Sequence, residues 1–192
     1  MRRLIVTEFV SLDGVMEAPG GEAGYAHSGW VGEYFSDELG EYKLAEQLDS
    51  DILLLGRTTY ESFYGAWPHR EGPMADKLNT MPKYVASTTQ STFEWEGANY
   101  LATPVESSVA DLKNQEGGLI LVAGSRSLVH TLLGAGLVDQ LNLQVFPVVL
   151  GSGRRVYPET PTRTNLELMS SKTVTNRVQV QQYTVERATQ GS

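Results

Sequence analysis

Two segments of the chain bring together residues that can hold an anion: Leu53-Leu54-Leu55-Gly56-Arg57-Thr58-Thr59 and Leu121-Val122-Ala123-Gly124-Ser125-Arg126-Ser127. In each, an apolar run meets a glycine, and hydroxyl and guanidinium side chains follow where a helix begins. A glycine lets a ligand approach the main chain, the free N–H groups of a helix start point outward, and hydroxyls and arginines add donors for phosphate oxygens. One such junction alone reads more simply as a strand-closing glycine before a capped helix. Two on neighbouring strands could hold a dinucleotide, with Gly56, Arg57, Thr58 and Thr59 on one side and Gly124, Ser125, Arg126 and Leu128 on the other.

Other chemistries fit the sequence poorly. Neither junction has the G-x-G-x-x-G spacing of a Rossmann loop or the G-x-x-x-x-G-K-[ST] spacing of a P-loop. The chain has 192 residues and no cysteine, which leaves no thiolate nucleophile and no Cys-ligated metal. Its three histidines, His27, His69 and His130, are scattered, and no metal site is expected. Fifteen Lys+Arg against 23 Asp+Glu give a net charge of -8 with no basic cluster, which argues against a nucleic-acid partner. Glu8 and Asp13 interrupt the apolar start, and no stretch is long and apolar enough to span a bilayer. The expectation is a cytoplasmic protein with no membrane partner.

The elements that must position the two junctions follow from hydrophobic periodicity. Residues 3–11 read as a first strand ending at the turn pair Asp13-Gly14. The segment from Pro19 to Gly32, with Gly20, Gly21, Gly24 and Gly29, shows no period and reads as a long surface loop. Ser36-Asp37-Glu38 starts a helix that carries Leu39, Tyr42, Leu44, Ala45 and Leu48 and ends near Asp49. The unbroken apolar runs 51–55 and 119–123 read as strands buried on both faces, and Tyr84-Val85-Ala86 as a further strand. Helices are predicted over 58–64, 105–116 and 125–135, and a strand over 141–150. Between Gly65 and Pro82, and again up to Pro104, the chain reads as irregular. Around Thr175-Asn176, Leu166, Leu168, Val178, Val180 and Val185 alternate with polar residues, which predicts an antiparallel hairpin. The pattern describes one three-layer α/β domain over residues 1–187, with a mostly parallel mixed sheet. Residues 188–192 read as a disordered tail.

Several segments resemble a known family. Leu53 to Ser62 is similar to the G-R-x-T-[WY]-E-S segment of dihydrofolate reductases. Val122-Ala123-Gly124-Ser125 with Gly136-Leu137-Val138-Asp139-Gln140-Leu141-Asn142-Leu143 resembles a stretch shared by those enzymes and the reductase domain of riboflavin biosynthesis. Ser11-Leu12-Asp13-Gly14 and Pro147-Val148-Val149-Leu150-Gly151-Ser152-Gly153 resemble that reductase domain in particular. The similarity runs in order over nearly the whole chain. It implies a dihydrofolate-reductase-like sandwich, NADPH as cofactor, and a homodimer. By position, Gly56, Arg57, Thr58 and Thr59 would meet the diphosphate and adenosine phosphate, Ser87 and Thr88 would add hydroxyl donors, and Gly124, Ser125, Arg126 and Leu128 would take the other side.

The resemblance implies hydride transfer to a C=N or C=O carbon of a pterin- or ribosylaminopyrimidine-like small molecule. Without cysteine, a deaminase module of the H-x-E…C-x-x-C kind is excluded, so a stand-alone reductase is expected. Ala123-Gly124 stands where the family shows paired glycines. The first-helix carboxylate of dihydrofolate reductases has three competitors here, Asp37, Glu38 and Glu41, and spacing selects none. Asp13 is the candidate for orienting substrate, or else it forms an Asx turn with Gly14. Trp30 either covers a flat ring as a lid or packs on the core or a second subunit. The rival to an enzyme is a non-catalytic nucleotide-binding protein with a degenerate substrate pocket.

Overall fold

The computed structural model describes residues 1–157, 163–175 and 177–186. Its strands are β1 (Leu4–Ser11), β2 (Ser50–Gly56), β3 (Lys83–Ala86), β4 (Ala98–Leu101), β5 (Leu119–Ala123), β6 (Gln140–Phe146), β7 (Leu166–Val174) and β8 (Val178–Val185). Its α-helices are α1 (Asp37–Leu48), α2 (Arg57–Ala66), α3 (Pro73–Thr80), α4 (Val105–Asn114) and α5 (Arg126–Gly134). The strands form one sheet in the order β4-β3-β2-β5-β1-β6-β8-β7. The first six in that order run parallel, and β8 closes the sheet antiparallel to both β6 and β7. This is the mixed α/β sandwich with a terminal hairpin that the strand periodicity and the resemblance both predict.

Alternation along β2 divides the core. Ile52 and Leu54 join Leu4, Val6, Ile120 and Val122 under α4 and α5, through Val109, Leu112, Leu128, Val129 and Leu132. Leu53 and Leu55 face the other way and pack with Ala123, Val85, Tyr60 of α2 and Leu78 of α3. Both faces of β2 and β5 are therefore covered, which is why these strands read as unbroken apolar runs. Burying one such leucine side chain contributes roughly 1.5–3 kcal/mol. Helix α1 covers the face of β1 and β6 that holds Phe9 and Phe146, and the Ser36 hydroxyl caps its start by accepting from the Leu39 N–H.

Three elements depart from the sequence reading. The 65–82 stretch holds α3, because Pro73 takes the first helical position, where its missing N–H is harmless, and Gly72 supplies the preceding turn at φ +106. The segment before Pro104 holds the short strand β4, paired with β3 and, among the described residues, at the edge of the sheet. The strand predicted over 141–150 stops at Phe146, since Pro147 cannot continue a ladder. In the hairpin, Asn176 lies outside the described residues, as does the tail after Arg187. The 19–32 loop is tied to α2, where Glu22 accepts from the Ser62 hydroxyl, and to the 151–153 segment, where His27 bonds Ser152. Among the described residues, no helix is long and apolar enough to cross a membrane.

Candidate active site

The parallel strands all end on one edge of the sheet, and β2 and β5 are neighbours there. Leu54 pairs with Val122, so Gly56 and Gly124, each two residues further on, face one another. Their helices then part, α2 toward the face of Leu53 and Leu55, α5 toward the face of Ile52 and Leu54. Adjacent parallel strands whose crossovers leave on opposite faces open a crevice at their carboxyl ends, the usual ligand position in such sheets. The crevice is narrow at its floor. A Cβ on Gly56 would stand 1.8 Å from the Ser125 hydroxyl oxygen, and a Cβ on Gly124 would stand 2.9 Å from Thr59 Cγ2. Neither helix start receives a side-chain cap, so the first-turn N–H groups of both are left to solvent or a ligand.

The residues named from the sequence distribute around this crevice as follows. Thr58 is exposed at the start of α2, and Thr59 packs against Gly124. Arg57 is partly exposed and pairs with Glu61 one turn along α2, at 2.6 Å. Arg126 is exposed on the first turn of α5. Leu128 is buried among Leu4, Val6 and Val122, so its side chain serves the core and only its main chain belongs to the helix start. Ser87 follows β3, next to the end of β2, and its hydroxyl accepts from the N–H groups of Thr89 and Gln90; Thr88 beside it is exposed.

Asp13 and Trp30 are engaged elsewhere. The Asp13 carboxylate accepts from the Ser11 hydroxyl and from the N–H groups of Leu150 and Gly151, a clamp between the end of β1 and the segment after β6. These hydrogen bonds, with Ser11 the strongest, hold its carboxyl down to about 2, so at neutral pH it has no proton to donate. The Trp30 ring is buried edge-to-face on Phe146, and its N–H donates to the Glu17 carbonyl. A ring anchored in this way fits the core reading and not the lid. Of the three helix acids, Asp37 and Glu41 are exposed, and Glu38 binds Lys172 and the Thr175 N–H at the hairpin. None of the three joins the polar groups between α1 and strands β1 and β6.

Besides the buried Leu39, the α1 side chains that face the sheet include Tyr42, Lys43 and Glu46. Glu46 accepts from Thr7, Tyr42, Lys43 and Asn142, and Gln144 lies beside Thr7. Toward the opposite edge of the sheet this polar layer opens into a cavity of about 270 Å³, lined among others by Arg3, Tyr42, Glu46, Gln140, Asn142 and Gln182. A signal for it stands in the sequence. Gln140, Asn142 and Gln144 alternate with Leu141, Leu143 and Val145, and a polar stripe at period two on a central strand marks a face that is not oily. Buried polar groups in such numbers are tolerated because each bonds the next.

The comparisons with known proteins agree with the fold. The model of the RibD C-terminal domain family matches residues 2–180. The chain belongs to the RibD C-terminal domain family. Two relatives in Bacillus subtilis (strain 168) share this extent. YyaP is 29% identical over 182 residues, covering 92% of each chain, and YwjB is 28% identical over 179 residues, covering 93% of this chain and 96% of its own. Among solved structures, a protein named for riboflavin biosynthesis from Shewanella sp. PV-4 superposes with a TM-score of 0.75 at 19% identity, covering 96% of this chain and 99% of that one. A pyrimidine reductase-like protein from Corynebacterium diphtheriae gives 0.72 at 13%, covering 96% and 92%. Dihydrofolate reductase from Enterococcus faecalis, complexed with NADP(H), gives 0.62 at 17%, covering 96% and 97%. The structural likenesses establish the dihydrofolate-reductase-like fold.

The crevice presents donors of the kind that the oxygens of an anion take up. At its floor the Ser125 and Thr59 side chains fill the places where a Cβ on Gly56 or Gly124 would stand, two uncapped helix starts flank it, and Arg57 and Arg126 stand at its rim.

Proposed function

We propose that this protein is an NADPH-dependent reductase of small heterocycles. The observation that carries the reading is the contact between the Gly56 and Gly124 corners at the point where α2 and α5 diverge. The first-turn N–H groups of both helices would hold the diphosphate, with Thr58 and Thr59 adding hydroxyl donors. Arg57 would take the adenosine phosphate, exchanging its bond to Glu61 for the more highly charged partner. Ser87 and Thr88 would stand beside it, at the end of β3. When bound, NADPH supplies the hydride.

The acceptor's place would be the polar layer beneath α1, since β1 separates β5 from β6 by a single strand. Lys43, Asn142 and Gln144 offer donors there, and Glu46 offers an acceptor, which suits a ring bearing both carbonyl and amino groups. A pterin- or ribosylaminopyrimidine-like molecule has that edge, and its C=N or C=O carbon would be reduced. Asp13 would act at one remove by fixing the 148–151 segment against β1.

A second reading is favoured by the commitment of Asp13 and Trp30 to the protein's own main chain: a nucleotide-binding protein without turnover. One experiment separates the two. NADPH binding is followed by fluorescence titration, and pterins and ribosylamino- or ribitylamino-pyrimidines are then screened for NADPH oxidation. Saturable binding with turnover of one class supports the reductase. Binding without any turnover supports the second reading, and no binding overturns both.

A further inference from the structure

Glu8 is a buried carboxylate whose side chain reaches the main chain of the β5–α5 corner of the crevice. It alternates with Val6 and Val10 on the α5 side of β1, is 5% exposed, and faces Leu143 across the β1–β6 pairing. Its Oε1 accepts the Gly124 N–H at 3.0 Å. That bond fixes the amide at which β5 turns into α5, where Gly124 and Ser125 stand consecutively at φ +71 and +68. Two successive left-handed residues, the second not a glycine, are a conformation the surroundings must hold in place. The inward-turned Gly124 amide is part of what holds it.

An ionised carboxylate in this position works against the anion above it. We propose that Glu8 is the positioning residue of the β5–α5 corner and that it takes up a proton from solvent when a diphosphate anion enters the crevice. The inference rests on the crevice being the cofactor's phosphate site. The neutral acid still accepts the Gly124 N–H through its carbonyl oxygen, so the corner keeps its shape while the like-charge repulsion disappears.

The surroundings allow this exchange at mildly alkaline pH. Burial, the largest influence, raises the Glu8 carboxyl to about 8, Glu46 pushes the same way, and Lys43 together with the Gly124 bond pulls it back. The charged groups that act on it are Lys43 and Glu46 of α1, and its own face of the sheet also carries Arg126 and His130 of α5 and Tyr183 of β8, which packs with Val10 and Leu143. His130 is shifted downward by burial and by Arg126, so it is neutral throughout the range in which Glu8 titrates. An added anion at the corner raises Glu8 further.

The test compares wild type with Glu8→Gln, a neutral side chain that keeps an acceptor for Gly124. Calorimetric titrations with NADPH and, separately, with ADP are run from pH 7 to pH 10 in buffers of different ionisation enthalpy, at constant ionic strength. Wild type should take up between about half a proton and one proton per ligand at pH 8–9 more than Glu8→Gln does. Its affinity should fall by up to about tenfold per pH unit above that range, while Glu8→Gln stays nearly flat. Equal proton uptake by the two proteins overturns the inference and leaves the NADPH reading intact. Excess uptake with ADP but no binding of NADPH upholds the inference and overturns that reading. If neither ligand binds either protein, both fall.

Discussion

The β2–α2 corner and the β5–α5 corner meet at one crevice, yet each needs its glycine for a different reason. Gly56 has φ -83 and ψ 158, extended backbone that any residue adopts, and its requirement is space, because the Ser125 side chain lies where a Cβ would be. Gly124 has φ +71, so its requirement is conformational as well, and its N–H is held from below by Glu8. The first corner is a close contact that the missing side chain permits. The second is a shaped turn maintained by a buried acid, and a methyl group on Ala123, just before it, does not enter that turn.

The sharpest way to break this contrast is to add one methyl group to each corner. Gly124→Ala combines a left-handed alanine, about 1–2 kcal/mol, with crowding against Thr59, and should destabilise by roughly 3 kcal/mol or more. Gly56→Ala meets only crowding and should lose about 1–3 kcal/mol. Adding Ser125→Gly should return most of the Gly56→Ala loss and little of the Gly124→Ala loss, read as midpoint shifts in urea unfolding. Equal rescue of both would erase the distinction.

Arg57→Ala sharpens the contrast in function. It should weaken NADPH roughly ten- to a hundredfold, the range expected for a lost charge-assisted contact, and leave NADH nearly unchanged, since only NADPH carries the extra phosphate. Loss of the exposed pair with Glu61 should cost under about 0.5 kcal/mol of stability. Equal weakening of both cofactors would remove Arg57 from that role.

Two carboxylates should give opposite pH responses. The folded protein binds a proton at Glu8 more tightly than the unfolded chain does, so stability falls as pH rises from the ordinary glutamate range toward about 8, by at most about 1.4 kcal/mol per unit. Glu8→Gln should flatten this limb. Asp13 is held down to about 2, so its contribution is present above the ordinary aspartate range and is lost as pH falls toward 2. Asp13→Asn should cost on the order of 1 kcal/mol at pH 7 and show a shallower loss in acid. Thermal unfolding from pH 2 to pH 9 checks both.

Much of this was legible in the residues. Leu53-Leu54-Leu55 and Leu119 to Ala123 had to be covered on both faces, and the glycine after each run marked where the covering helices begin. Asp13 was legible as a turn former, and its partners Leu150 and Gly151 were not, because they lie more than a hundred residues away in the chain. Pro73 hid α3, since proline reads as a breaker unless it falls on the first turn. Glu8 passed as one polar residue in a strand. Its importance depends on Gly124, which only the β1–β5 pairing brings beside it. The choice among Asp37, Glu38 and Glu41 stayed open in the sequence for a related reason: the first turn, where Asp37 and Glu38 favour the helix start, is separate from the face that Lys43 and Glu46 present to β1 and β6.

Whether the two corners act as one cradle is most directly read from their own amides. In a ¹⁵N-labelled sample titrated with NADPH, the Gly56 and Gly124 resonances should move together and saturate along one binding curve. Movement at one glycine with the other unmoved, or two curves of different midpoint, would contradict a shared phosphate site.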